Sequence, residues 1–459
     1  MSESSSMFKM YDVRGIVGKD LNPDVAELIG KAFGTYLLER GTKDVVVGRD
    51  SRETSPEYLE RVINGLKSTG CDVVNIGLTL SSAVYFTMRE KGIKGGLMVT
   101  ASHNPPTYNG FKFCHGKHAI AGDEIQEVRK LFESGKFKTG EGSVRNEDMN
   151  KVYFDRIAGK VKIEKRLKVV VDCGNSTPGA LVPGFLEQLG CDVIPLFCDL
   201  DPSFPNHAPD PAGLVNYHEL VKMVKKTGAD IGIMLDGDGD RAGFVDHKGG
   251  IHLGDTILTL FIREIIPKNP GRKVIVELKD SEVVVEETKR LGGIPIFWKT
   301  GHALLDKKIQ EEDAILCGEM SCHYWVIDDW YSFDDSIYAM ARLLRMASQR
   351  PLAELVDELP KYPATPEYRL VCPDEKKDEV VEGFVRHAKE HCDKVIDVDG
   401  VRAYIADGWF LLRQSNTQPR ITMRCEAKTT EGLEKVKDFV KKKMDEYDFI
   451  TLDWDKPYH

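Results

Sequence analysis

Four short stretches carry residue types that could do chemistry together. Thr100-Ala101-Ser102-His103-Asn104-Pro105 ends the strand-like run Gly95 to Val99, so Ser102 is presented from a strand's carboxyl end, where open α/β sheets keep their sites. Asn104 and the turn-former Pro105 stop the strand at once and hold the hydroxyl on a tight loop. A serine held there suits a nucleophile or phosphoryl carrier, although an isolated loop serine more often satisfies local backbone groups. In Asp236-Gly237-Asp238-Gly239-Asp240-Arg241, carboxylates alternate with glycine, so three anions can curl around one point. They repel strongly unless a cation sits among them. A hard, oxygen-preferring ion such as Mg2+ fits, whereas an EF-hand loop does not: Arg241 stands where its turn glycine belongs and His247 where its bidentate glutamate belongs. A solvated acidic loop is the plain alternative.

The third stretch, Gly318-Glu319-Met320-Ser321, ends an apolar strand with a carboxylate and a hydroxyl, a pair suited to adjacent sugar hydroxyls. His323 follows, and a histidine, which ordinarily titrates near neutrality, could act there as a general acid or base. The fourth, Arg413-Gln414-Ser415-Asn416-Thr417-Gln418-Pro419, gathers a guanidinium, hydroxyls, an amide and backbone N–H groups around a turn. In composition it is a phosphate cradle, or else a polar hairpin connection. Lys112 follows the serine loop closely, as a charge stabiliser or, with a lowered pKa, a base. Arg14, Lys279 and His302 are further cations or donors on loops after strand-like runs. Neither a Gly-x-x-x-x-Gly-Lys-Ser/Thr loop nor a convincing Gly-x-Gly-x-x-Gly after a strand is present, so a nucleotide is not implied.

The elements that must position these loops repeat. One unit runs from strand Asp44 to Val47 through the polar turn Gly48-Arg49-Asp50-Ser51-Arg52, a helix to Gly70 and a strand Cys71 to Ile76, to the strand feeding Ser102. The order recurs from Leu167 to the strand Asp230 to Leu235 that feeds the aspartates, and again from Val274 to Ala314–Cys317, which feeds Glu319. Each unit delivers its unusual loop from the same structural place. Ahead of them a helix opens at Asn22-Pro23 and stops near Gly41. After Pro363 and Pro366 the order changes to a short strand, a helix, several strands with an Asp399-Gly400 hairpin turn, and a closing helix. The expected fold is therefore α/β: three similar mixed-sheet α/β domains (1–158, 159–262, 263–367) followed by a smaller α+β domain (368–459), around a shared central cleft.

The 459 residues, 41% hydrophobic and 30% charged, are ample for several domains. A net charge of -10 argues against nucleic acid or an anionic membrane surface as a partner. The start Met-Ser-Glu-Ser-Ser-Ser lacks a basic and an apolar region, and no apolar run approaches the roughly 18 residues of a membrane span. A soluble cytoplasmic protein, a monomer or small homo-oligomer, is expected. The ten cysteines, without any Cys-x-x-Cys pair, read as reduced core residues.

Taken together, these residues resemble the α-D-phosphohexomutase family, in its bacterial- and archaeal-type phosphomannomutase/phosphoglucomutase branch. The resemblance covers essentially the whole chain: Thr-Ala-Ser-His-Asn-Pro, Asp-Gly-Asp-Gly-Asp-Arg, Gly-Glu-Met-Ser-x-His and Arg-x-Ser-Asn-Thr occur in the family's order, one per domain. It implies that Ser102 is the phosphoserine, that its phosphate with Asp236, Asp238 and Asp240 holds Mg2+, and that Arg14, His103, Lys112 and His323 serve transfer. It implies further that Glu319 and Ser321 grip sugar hydroxyls, that Arg241, Lys279 and His302 line the substrate site, and that Arg413, Ser415, Asn416 and Thr417 hold the non-reacting phosphate. One departure is Cys322, where the family usually has glycine.

The expected reaction is an isomerisation by intramolecular phosphotransfer. Phosphorylated Ser102 gives its group to a hexose 1- or 6-phosphate of mannose or glucose, and the bisphosphate reverses in the cleft and returns its other phosphate. Glucose 1,6-bisphosphate or mannose 1,6-bisphosphate is the expected activator. Phosphoglucosamine mutase is the nearest alternative, but its phosphate loop usually reads Gly-Thr-Glu-Pro, against Asn416-Thr417-Gln418-Pro419 here. A metal-dependent phosphatase with an aspartate nucleophile would leave Ser102 and the Arg413 loop unexplained, and a non-catalytic sugar-phosphate binder would never carry phosphate on Ser102.

Overall fold

Asn22 caps the first helix of the computed structural model, which describes residues 7–415 and 419–454: its side-chain oxygen accepts from Val25 N at 2.9 Å, and Pro23 opens helix Pro23–Glu39. Gly41 follows its end with φ +69. The chain divides into two units, one built from the chain up to Phe261 with Gly301–Asp357, the other from Ile262–Thr300 with the chain from Glu358 onward.

In the first unit, strand Asp44–Arg49 carries three fully buried valines, Val45, Val46 and Val47, the continuous apolar run of a strand covered on both faces. It lies parallel to Asp72–Leu78 on one side and Gly95–Val99 on the other. Beyond Gly95–Val99 the sheet turns antiparallel, through Tyr108–His115 to Val13–Ile16, and with His118–Ala119 and Val144–Asn146 it reaches seven strands. Arg14, Ser102 and Lys112 thus lie on or just past adjacent strands.

A second sheet of five strands has a parallel core, Asp192–Leu196, Lys168–Asp172 and Ile231–Leu235, continued antiparallel by Ala242–Asp246 and Ile251–His252. The aspartate loop is the connection from Ile231–Leu235 to Ala242–Asp246. Strand Leu316–Gly318 pairs antiparallel with Tyr324–Val326, and the turn between them carries Glu319, Ser321 and His323. Helix Ser336–Gln349, capped by Asp335, follows.

In the second unit, Lys273–Glu277 and Ile294–Trp298 pair in parallel. Its antiparallel five-stranded sheet runs Tyr368–Val371, Arg420–Ala427, Gly408–Gln414, Val401–Ile405, Lys394–Ile396. Asp399-Gly400 lies in the connection between the last two, with φ +76 at Gly400. One buried guanidinium explains why residues near 280 belong here: Arg402, with no exposed surface, donates to Leu278 O and Asp280 O, pairs with Glu282 at 2.8 Å, and lies 3.6 Å over the Trp409 ring. Buried with these partners, the charge is compensated.

Candidate active site

The serine loop is held in an uncommon backbone state. Ser102 has φ +50, which a non-glycine residue keeps only when its surroundings fix it. Arg52 fixes it: its guanidinium, buried beside Asp50, donates to the carbonyls of Ser102 (2.8 Å), Asn104 (2.6 Å), Pro105 (2.8 Å) and Tyr108 (3.0 Å). Arg14 completes the frame, bonded to Asn104 Oδ1 at 2.7 Å and paired with Asp12 at 2.6 Å.

The aspartate loop meets this serine directly. Ser102 Oγ donates to Asp236 Oδ2 at 2.5 Å and lies 3.2 Å from His103 Nδ1. The approach demands glycine at 237, since a Cβ there would stand 2.2 Å from Ser102 O. Lys112 Nζ donates to Asp238 Oδ2 at 2.6 Å and Asp240 Oδ2 at 2.5 Å, and Ser81 Oγ, at the start of helix Ser81–Lys91, donates to Asp238 Oδ2 at 2.6 Å. All three aspartates are buried.

Charge decides what this cluster can hold. Burial opposes charge on Lys112, but Asp238 and Asp240 outweigh it and push its pKa well above the ordinary lysine value, so it is a fixed cation, not a base. Burial and then Asp240 and Asp238 push the Asp236 carboxyl well above the carboxylate range, so three full negative charges need more cation than Lys112 supplies. Asp238 Oδ1 and Asp240 Oδ1 are buried without a hydrogen-bond donor among the described residues, and the three carboxylates offer oxygens within 4.8 Å of one another. This donor set suits a hard divalent ion. His103 is different: burial, then Arg241 and Arg14, hold its pKa well below the ordinary value, so the ring is neutral beside Ser102 Oγ.

A third group joins from the turn after Leu316–Gly318. Arg241 Nε lies 3.0 Å from His323 Nε2 and donates to it, so the ring proton belongs on Nδ1, 2.5 Å from Asp334 Oδ2. Asp210 braces Arg241 Nη1 at 3.3 Å. Glu319 accepts from Gly301 N and Ser321 Oγ, each at 2.8 Å. Cys322 stands in the left-handed region at φ +72, the conformation a glycine would take, with its side chain buried. His302 is buried and stacks on His323 with ring centres 5.7 Å apart.

Of the residues singled out in the sequence, Arg14, Ser102, His103, Lys112, Asp236, Asp238, Asp240, Arg241, His302, Glu319, Ser321 and His323 all lie in the first unit. Lys279, Arg413 and Ser415 lie in the second: Lys279 pairs with Glu367 at 3.2 Å, Arg413 with Asp399 at 2.9 Å, and Ser415 O accepts from Lys377 Nζ at 3.1 Å. Asn416 and Thr417 fall outside the described residues. Arg52, Ser81, Asp210 and Asp334 were not among the expected site residues. Only Arg52 had a local signal, the polar turn after a buried strand.

Profiles described as phosphoglucomutase/phosphomannomutase alpha/beta/alpha domains I, II and III and C-terminal domain match residues 5–139, 151–250, 253–362 and 367–443. The phosphomannomutase/phosphoglucomutase of Pseudomonas putida is 40% identical over 435 residues, 94% of each chain. A crystal structure of a phosphoglucomutase/phosphomannomutase family protein from Burkholderia thailandensis matches with TM-score 0.92 at 38% identity, covering 96% of this chain and 97% of that one. An Aspergillus fumigatus N-acetylphosphoglucosamine mutase, crystallised with GlcNAc-6P and magnesium, shares the fold at TM-score 0.59 and 13% identity, with 96% and 99% covered.

Proposed function

The chain belongs to the phosphoglucomutase/phosphomannomutase family and is an isomerase of the phosphohexomutase kind, and on that premise we propose that Ser102 carries the phosphoryl group between the 1- and 6-positions of mannose or glucose phosphates. The observation that carries this reading is the 2.5 Å contact of Ser102 Oγ with Asp236, framed by Lys112 and Arg14.

Glu319 and Ser321 receive the sugar hydroxyls of a hexose 1- or 6-phosphate. Arg413 and Ser415, with Asn416 and Thr417 by resemblance, hold its phosphate, and Lys279, His302 and Arg241 contribute donors. The free sugar hydroxyl attacks phosphorus, the bond from phosphorus to Ser102 Oγ breaks, and a hexose 1,6-bisphosphate results. Lys112 and Arg14, both fixed cations, offset charge on the transferring oxygens. His103 Nδ1, neutral and 3.2 Å from Oγ, takes the proton from Ser102 when the serine attacks the other phosphate of the reoriented bisphosphate, and the ring so protonated gives it back when the serine next leaves. His323, oriented by Asp334, is the second proton-handling group, on the sugar side. Asp236, Asp238, Asp240 and phosphorylated Ser102 would hold Mg2+, which when bound supplies charge neutralisation at the phosphoryl oxygens. Glucose 1,6-bisphosphate or mannose 1,6-bisphosphate would prime the serine. The sequence grounds given above favour a cytoplasmic enzyme of four domains divided near residues 158, 262 and 367.

Phosphorus NMR tests this with Mg2+, a trace of glucose 1,6-bisphosphate, and mannose, glucose or glucosamine 1-phosphate in separate tubes. Conversion of the mannose and glucose substrates to 6-phosphates without inorganic phosphate is expected. Turnover of glucosamine 1-phosphate alone would move the enzyme to the sister activity. Inorganic phosphate as the main product would sink the reading.

A further inference from the structure

Two of the ten cysteines touch. Cys173 follows strand Lys168–Asp172, Cys198 follows its parallel neighbour Asp192–Leu196, and their sulfurs lie 3.6 Å apart. A disulfide needs about 2.05 Å, so closure asks for roughly 1.5 Å of approach. Cys173 is fully buried and Cys198 only half-buried, so an oxidant meets Cys198 first. Cys198 is also the more acidic thiol: hydrogen bonding with Cys173 brings it below the ordinary cysteine value, while burial pushes Cys173 well above.

The surroundings give closure a consequence. Asn175 and Phe197, beside the pair, hold left-handed backbone at φ +59 and +49, so neither loop has slack to absorb a shift. The loops are tied together: Asn175 N donates to Phe197 O at 2.7 Å and Asn175 Nδ2 to Asp199 O at 2.9 Å, and His207 Nε2 lies 3.0 Å from the Asp172 carboxylate. From the first loop Ser176 Oγ reaches Asp236 O at 3.4 Å; from the second, Asp210 meets Arg241 at 3.3 Å. Each loop supports one residue of the site.

We propose that Cys173 and Cys198 are a redox couple: a hydroperoxide joins them in a disulfide, and the disulfide lowers turnover by displacing the supports of Asp236 and Arg241. The Cys198 thiolate attacks one peroxide oxygen, the O–O bond breaks, and the departing oxygen takes a proton, leaving a sulfenic acid. The Cys173 sulfur then attacks the Cys198 sulfur, the S–O bond breaks, and hydroxide leaves with the Cys173 proton as water. Two thiols together give up two electrons, and one hydrogen peroxide becomes two waters. A dithiol reductant reverses the change. The effect on turnover rests on the function proposed above; the disulfide itself does not.

The full chain is treated with hydrogen peroxide, its remaining thiols are blocked, and it is mapped by mass spectrometry without reduction, with turnover measured in parallel on wild type, Cys198→Ser and Cys173→Ala. Peptides joined through 173 and 198 are expected, with turnover reduced severalfold in wild type, restored by dithiothreitol, and insensitive to peroxide in both variants. Absence of the joined peptides, or their presence with turnover unchanged, overturns the proposal. So does equal loss in Cys198→Ser. A protein without mutase turnover before oxidation overturns the function instead, and the joined peptides still decide the disulfide.

Discussion

Ser102 Oγ donates a 2.5 Å hydrogen bond to Asp236 Oδ2 across 134 positions of sequence. The serine loop and the acidic loop therefore form one site. Ser102→Ala should lower hexose phosphate isomerisation by about 10³-fold or more and abolish the phosphoryl mass increment after incubation with glucose 1,6-bisphosphate. Intact-protein mass spectrometry with a coupled assay checks both. Isomerisation that survives the substitution would mean that a side chain other than Ser102 carries the phosphoryl group.

Lys112 is the cation that pairs with Asp238 and Asp240. Removing one partner of a buried ion pair leaves an uncompensated charge, at a cost of about 3–5 kcal/mol. Lys112→Met should therefore unfold at lower denaturant, and Mg2+ should recover more stability in the variant than in wild type, because binding to the folded state alone stabilises it. Urea titrations with and without Mg2+ measure the difference; equal shifts would detach Lys112 from the acidic cluster.

What was legible in the sequence was what is local. The strand Gly95–Val99 ending at the serine loop, the Asn22 cap and the alternating aspartates each have short-range causes, and each is found. The partners that orient the site were not legible, because nothing in a turn such as Gly48 to Arg52 says that Arg52 will span four carbonyls about fifty residues away. Asp334 reads as one of two acids before a helix. Its neighbour Asp335 does cap that helix, while Asp334 turns to His323. Cys322 stands out as a departure from glycine, and its backbone lies in the left-handed region that glycine favours, so the change places a buried thiol there.

Arg52 is buried and spends its guanidinium donors on the carbonyls of the serine loop, so its effect on rate should separate from its effect on binding. Lysine presents three donors from one point and cannot span four carbonyls, and each lost charged hydrogen bond is worth about 1.5–3 kcal/mol. Arg52→Lys should lower kcat and the rate of Ser102 phosphorylation by about 10- to 100-fold, with KM for the hexose phosphate nearly unchanged. Single-turnover phosphorylation read by quenched-flow mass spectrometry decides it; a parallel rise in KM would mean that the whole site has collapsed.

His302 offers a test through pH. Burial, then Lys112 and His323, hold its pKa well below the ordinary histidine value, and its Nε2 is buried without a hydrogen-bond partner among the described residues. A histidine depressed in the fold binds its proton in the unfolded chain first, so unfolding is favoured as pH falls below about 6.5. The stability this neutral ring permits is intact above that pH and is lost progressively below it, down to the folded pKa. For one such group the loss between pH 7.5 and 5.5 is on the order of 1 kcal/mol. His302→Gln cannot titrate, so urea unfolding at the two pH values should show wild type losing about that much more stability than the variant. Histidines such as His118 and His207, raised by carboxylate partners, push the other way, but they are common to both proteins and cancel in the difference. Parallel pH profiles would mean that His302 is already protonated in the fold.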